Sequence, residues 1–132
     1  MAISKKGKRS ITVNSKSYLW WVYRHYDNQN FIFIAQIVAK DQSFSIHYSL
    51  DQNLYRQVNI GLRHDAGWIS LACPQFENKD RIITSKGIRQ LIEWCSLAPS
   101  ETNIRSILGN WTKDELKKKQ QLYQIFLEKL NP

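Results

Sequence analysis

Residues 44–50 read FSIHYSL. Phe44, Ile46, Tyr48 and Leu50 alternate with Ser45, His47 and Ser49, and a period of two sustained over seven residues predicts a strand with one apolar and one polar face. Working outward from it, the neighbouring segments have the same character. On the N-terminal side, FIFIAQIVA at 31–39 is rich in the aromatic and β-branched residues that strands favour. Before it, Ser10–Val13 and Ser17–His25 flank Asn14-Ser15-Lys16, a polar turn in which Asn tolerates the positive φ of a tight hairpin. On the C-terminal side come YRQVNIGL at 55–62 and GWISLAC at 67–73, joined through Arg63-His64-Asp65-Ala66. The connections are too short for parallel crossovers, so the prediction is a mostly antiparallel sheet of five or six strands over about residues 10–73.

After residue 84 the period changes. Ile88, Leu91, Ile92 and Cys95 stand at i, i+3, i+4 and i+7 behind a Thr84 or Ser85 cap, which predicts a helix over about 85–97. Ile104, Ile107 and Leu108 repeat that spacing after Pro99-Ser100 and predict a short helix over 101–108, with Gly109 as its C-cap. Thr112 and Glu115 form a T-x-x-E capping box for a last helix over 113–130, whose stripe holds Leu116, Tyr123, Phe126, Leu127 and Leu130. The fold class is therefore α+β, a sheet followed by three helices. A single domain spans 1–132, with a basic flexible arm at 1–8 and a helical extension over 99–132 packed on the domain or on a partner.

Composition bounds the function. The chain has 132 residues, 42% of them apolar and 23% charged, with five Trp, six Tyr and five Phe, which is the profile of a folded domain rather than a disordered one. Cys73 and Cys95 are far apart and form neither a disulfide framework nor a zinc motif. With no apolar leader in MAISKKGKR and no long apolar run, a cytoplasmic, non-membrane protein is expected. Net charge is +8, and six of the basic residues, Lys5, Lys6, Lys8, Arg9, Lys16 and Arg24, lie in the first 25 positions without one acid. Such an arm suits nucleic acid or an acidic protein patch, and it suits a solvated tail equally.

Catalytic chemistry lacks its constellations. His25, His47 and His64 are scattered, and there is no G-x-G-x-x-G, no G-x-x-x-x-G-K-[ST] and no G-x-S-x-G, so neither a metal, a nucleotide cradle nor a nucleophile elbow is expected. His64-Asp65 is the one compact polar pair in the β half, and its place in a turn argues against a shared target. No cofactor is expected.

The hairpin Lys8-Arg9, Ile11, Val13 and then Tyr18, Trp20, Val22, followed by Ile83-Thr84-Ser85 and the helix through Ile88–Ile92, resembles a group of small uncharacterised bacterial proteins. The resemblance covers residues 8 to about 98; it implies the fold and carries no activity, cofactor or site residue. On alternation, Tyr18, Trp20 and Val22 belong to the core, while Leu19, Trp21 and Tyr23 form the second face of the same strand. The expectation is a non-enzymatic macromolecule-binding module. A protein partner, or a second copy through the last helix, would use Leu19, Trp21, Tyr23 and the Lys117, Lys118, Lys119 cluster. The alternative is sequence-tolerant nucleic-acid binding through the basic arm and the aromatic strand face.

Overall fold

Asn14 and Ser15 both adopt positive φ, 51° and 67°, the geometry whose twist matches that of two antiparallel strands joined by a two-residue turn. They connect β1 (Arg9–Val13) to β2 (Lys16–Asp27). The computed structural model describes residues 7–27, 30–51, 57–63, 67–74, 76, 78–79, 82–96 and 112–130. From that hairpin the chain continues through β3 (Asn30–Ala39), β4 (Phe44–Ser49), β5 (Gln57–Leu62) and β6 (Gly67–Ala72). The result is a six-stranded sheet in the order β1-β2-β3-β4-β5-β6, antiparallel at every pairing. A two-residue pair follows, β7 (Asn78–Lys79) with β8 (Ile82–Ile83), then α1 (Ser85–Ser96) and α2 (Lys113–Leu130). The fold is α+β, as the change of period implies. The short β7–β8 pair has no alternating run to announce it. Lys5, Lys6, His64, Asp65 and the predicted helix over 101–108 lie outside the described residues.

One face of the sheet is closed. Strand β4 buries Phe44, Ile46 and Tyr48 and turns Ser45, His47 and Ser49 to the opposite face. Ile11, Val13, Tyr18, Trp20, Ala35, Ile37, Val58, Ile60, Ile69 and Leu71 line the same buried side. Helix α1 lays Ile88, Leu91, Ile92 and Cys95 into this core. The Thr84 hydroxyl caps it by accepting from the Gly87 N–H at 3.4 Å. Helix α2 contributes Tyr123, Phe126 and Leu130, with Phe126 edge-on to Phe44 at 5.0 Å between ring centres. Its capping box forms on the Thr112 side, where the hydroxyl accepts from the Glu115 N–H at 3.1 Å.

The helices also mask the sheet's two edges. Arg89 of α1 donates to the Thr12 carbonyl of β1 at 3.1 Å, and Lys119 of α2 donates to the Trp68 carbonyl of β6 at 2.6 Å. An outward carbonyl on each edge strand is thereby occupied, which makes the edge a poorer template for another chain. Of the lysine cluster on the last helix, Lys117 and Lys118 are exposed, whereas Lys119 is this edge clamp.

Val22 is not core. It is 37% exposed, while Tyr18 and Trp20 on the same side are buried. Pairing explains the difference: β1 ends its register at Trp20, and β2 and β3 run on past it as a projecting hairpin. Val22 has thus lost the flanking strand that shelters Trp20.

Two buried polar atoms, Trp20 Nε1 and the Tyr123 hydroxyl, meet no hydrogen-bond partner among the described residues. An unsatisfied buried group costs about 1–3 kcal/mol, and removing it leaves nothing further unpaired. Tyr123→Phe is therefore expected to be neutral or to stabilise by up to about 1 kcal/mol. A urea denaturation midpoint below wild type would show that the hydroxyl has a partner.

Candidate functional site

Alternation that sends the large apolar residues into the core leaves a second set on the opposite face, on which neither α1 nor α2 packs. On β2 these are Leu19, Trp21, Tyr23 and His25; the register aligns them with Val38, Gln36, Ile34 and Ile32 of β3. Beyond lie Ser45, His47 and Ser49 of β4, Gln57, Asn59 and Gly61 of β5, and Trp68 and Ser70 of β6. Trp21, Tyr23, Ile32, Ile34 and His47 are half-buried. Leu19, expected on this surface, is only 4% exposed; its neighbours across the strands are Ser10 and Val38. Short of Asp27 at the hairpin tip, no open-face strand position carries an Asp or Glu.

The structure divides the basic residues that the sequence groups together. Lys8 stands on the open face, its Nζ 4.6 Å from the centre of the Trp21 ring. Arg9 lies on the other side over Trp20, at 5.5 Å. Lys16 is ion-paired with Asp41 at 2.7 Å, which removes it as a free contact for an anion. Hydrogen bonds from Lys16 and Ser43 outweigh the desolvation of Asp41 and hold its carboxyl down at about 2. Arg24 sits on the projecting hairpin, 4.9 Å from the Phe31 ring, beside the edge-on pair of Tyr26 and Phe31.

Sequence reasoning missed Trp68. An added Cβ at Gly61, its partner across β5 and β6, would lie 2.8, 3.0 and 3.0 Å from three adjacent atoms of the six-membered indole ring. Near-equal distances to three neighbouring ring atoms place Gly61 beneath the face of the indole rather than at its rim. Trp68 therefore lies across β5 and reaches His47 on β4, with ring centres 5.2 Å apart and planes at 83°. It is 50% exposed. A strand glycine marking a close approach was the available signal, but the partner could be named only once the register was known.

Beside Trp68 the face sinks into a depression of about 450 Å³ lined by Ile32, Ile34, His47, Ser49, Asn59 and Trp68. The Ser70 hydroxyl donates to Asn59 Oδ1 at 2.7 Å, and Gln57 Nε2 approaches the same oxygen at 3.4 Å. That fixes the amide's orientation and leaves its nitrogen for other acceptors. His47 Nε2 is 3.5 Å from the Ser45 hydroxyl. No protein-family model, curated protein or solved structure matches this chain. What the face can do must be argued from its chemistry.

The lining of the depression holds no Asp, Glu, Lys or Arg. Burial lowers the pKa of His47 from its ordinary 6.5, so the folded face favours a neutral imidazole. No group of three His, Cys, Asp or Glu among the described residues could hold a metal ion. No helix there is long and apolar enough to cross a membrane. Cys73 and Cys95 form no disulfide, and burial pushes the Cys95 thiol up, away from the nucleophilic thiolate.

Because His47 is held neutral, the unfolded chain takes up its proton first as the pH falls. The stability this group contributes is complete above 6.5 and is lost as the pH drops from 6.5 through its lowered folded-state pKa. His47→Gln is expected to flatten that part of the stability profile, read from urea midpoints between about pH 5 and 8. An unchanged profile would mean that the ring is fully hydrated.

Proposed function

We propose that this protein is a non-enzymatic cytoplasmic binding module that takes single-stranded nucleic acid on the open face of its sheet. The observation that supports the reading is the composition of that face: Trp21, Tyr23 and Trp68 stand among mostly neutral residues, with Lys8 against Trp21, no acid at the described strand positions short of the hairpin tip, and Asp51, just past β4, engaged by the Phe33 N–H. Single-strand binders combine those elements, aromatic planes for bases and cations for phosphates. Docking of α2 on a partner is the weaker reading, because its Tyr123, Phe126 and Leu130 are already buried within the chain's own core.

Titration of a fluorescent single-stranded oligonucleotide against salt tests this. With about three phosphates neutralised by Lys5, Lys6 and Lys8, the log–log slope should be about −2 and should shrink when those three become Ala. No binding at low salt would remove the reading.

A protein partner is the second reading, and it has its own support. Tyr26 and Phe31 are 58% and 53% exposed on the projecting hairpin, a place where large aromatic side chains otherwise mark protein contacts. A second copy of the chain would be detected by sedimentation: self-association abolished in a Tyr26→Ser, Phe31→Ser double variant favours it, and a strictly monomeric wild type opposes it.

A further inference from the structure

We infer that the depression over β3–β6 is a pocket for one planar heteroaromatic base of a single strand, seated against Trp68 and read at its edge by Asn59 and His47. This rests on the nucleic-acid reading and assigns it a specificity site. Ile32 and Ile34 close one end and the indole of Trp68 the other, while His47, Ser49 and Asn59 supply the polar groups between them. A volume of about 450 Å³ lies in the range of small-molecule sites.

Chemistry then selects the occupant. A cationic side chain would find no carboxylate in the lining, and a phosphate would find no cation there. A purely hydrocarbon group would cover the Asn59 nitrogen, which donates to none of the described residues because the network from Ser70 and Gln57 converges on its oxygen; an amide buried without a partner is unfavourable. A heteroaromatic base meets each demand. Its ring fits against an indole and two isoleucines, and its edge offers acceptors and donors to an amide and an imidazole. With its oxygen taken by Ser70 and Gln57, Asn59 offers the base a one-point donor, its amide nitrogen, for a ring or carbonyl acceptor.

The platform is held in place. Gly61 lets the indole lie flat across β5, and His47 stands nearly perpendicular to it. Trp68 is thus positioned before any ligand arrives. Lys119 fixes the same residue from the backbone through the Trp68 carbonyl. Lys8 and Trp21 lie toward the opposite edge of the sheet, on β1 and β2, so one strand crossing the face would be gripped near β1 and read near β6.

The experiment compares wild type, Trp68→Ala, Trp68→Phe and Asn59→Ala with homopolymeric single strands of A, C and T of equal length. Thermal unfolding checks that each variant is folded. Trp68→Ala is expected to weaken binding about 5- to 150-fold, the loss of one stacked base, with Trp68→Phe restoring much of it. Asn59→Ala is expected to reduce the preference among the three homopolymers. If folded Trp68→Ala and Asn59→Ala both bind every homopolymer as wild type does, while Trp21→Ala remains weakened, the pocket is wrong and the nucleic-acid reading stands. If wild type binds none of them, both are overturned.

Discussion

Phe126→Ala is expected to lower the free energy of unfolding by about 3–5 kcal/mol, the usual range for truncating a fully buried Phe. Phe126 has no exposed surface, meets Phe44 of β4 edge-on at 5.0 Å and stacks on Tyr123 of its own helix with planes 17° apart. It is the residue through which the last helix closes the sheet's core. Removing the ring would cut the apolar transfer term and leave a cavity beneath a helix that cannot easily collapse onto a flat sheet. A loss this large is a substantial fraction of a domain's whole stability of about 5–15 kcal/mol. Urea denaturation measures it directly. A loss below about 1 kcal/mol would mean that α2 does not cover its own sheet and is available to a partner.

The double substitution Lys8→Ala, Trp21→Ala has the largest expected functional effect. On the proposed single-strand binding, stacking of one base on Trp21 would contribute about 1–3 kcal/mol, and loss of Lys8 would remove about one phosphate contact, shrinking the single-strand salt slope by about 0.7. The affinity for an oligonucleotide should therefore fall at least tenfold at low salt, on the order of the stacking term plus the ionic one. Lys16→Ala serves as the control. Its ammonium is paired with Asp41 and lies by Phe44 on the other side of the sheet, so its removal should leave the binding slope nearly unchanged. Equal losses in the two variants would indicate that general positive charge, and not the aromatic face, carries binding.

The fold was legible where side-chain pattern and backbone chemistry agree. The alternation at 44–50 gives the two faces of β4 residue by residue, Asn14-Ser15 takes the turn its residue types permit, and Thr84 and Thr112 cap the helices they precede. The site was less legible because it depends on registers and strand ends. Tyr18, Trp20 and Val22 share one side of β2, yet only pairing with β1 decides which are sheltered, and that pairing stops before Val22. Leu19, Trp21 and Tyr23 share the other side, but Leu19 is closed over by its neighbours. The basic run from Lys5 to Arg24 reads as one patch in sequence. Alternation and ion pairing separate Lys8 from Arg9 and Lys16 by only one to eight positions. Trp68 could not be assigned a role without its cross-strand glycine.

Amide and indole chemical-shift mapping during titration with a short single strand locates the bound strand residue by residue. The shifts should gather on the open face, at Trp21, Tyr23, Ile34, His47, Asn59 and Trp68, with the indole N–H signals of Trp21 and Trp68 among the most displaced and that of buried Trp20 little changed. Shifts confined to α1, α2 or the Tyr26–Phe31 tip, or no shifts at all, would contradict it.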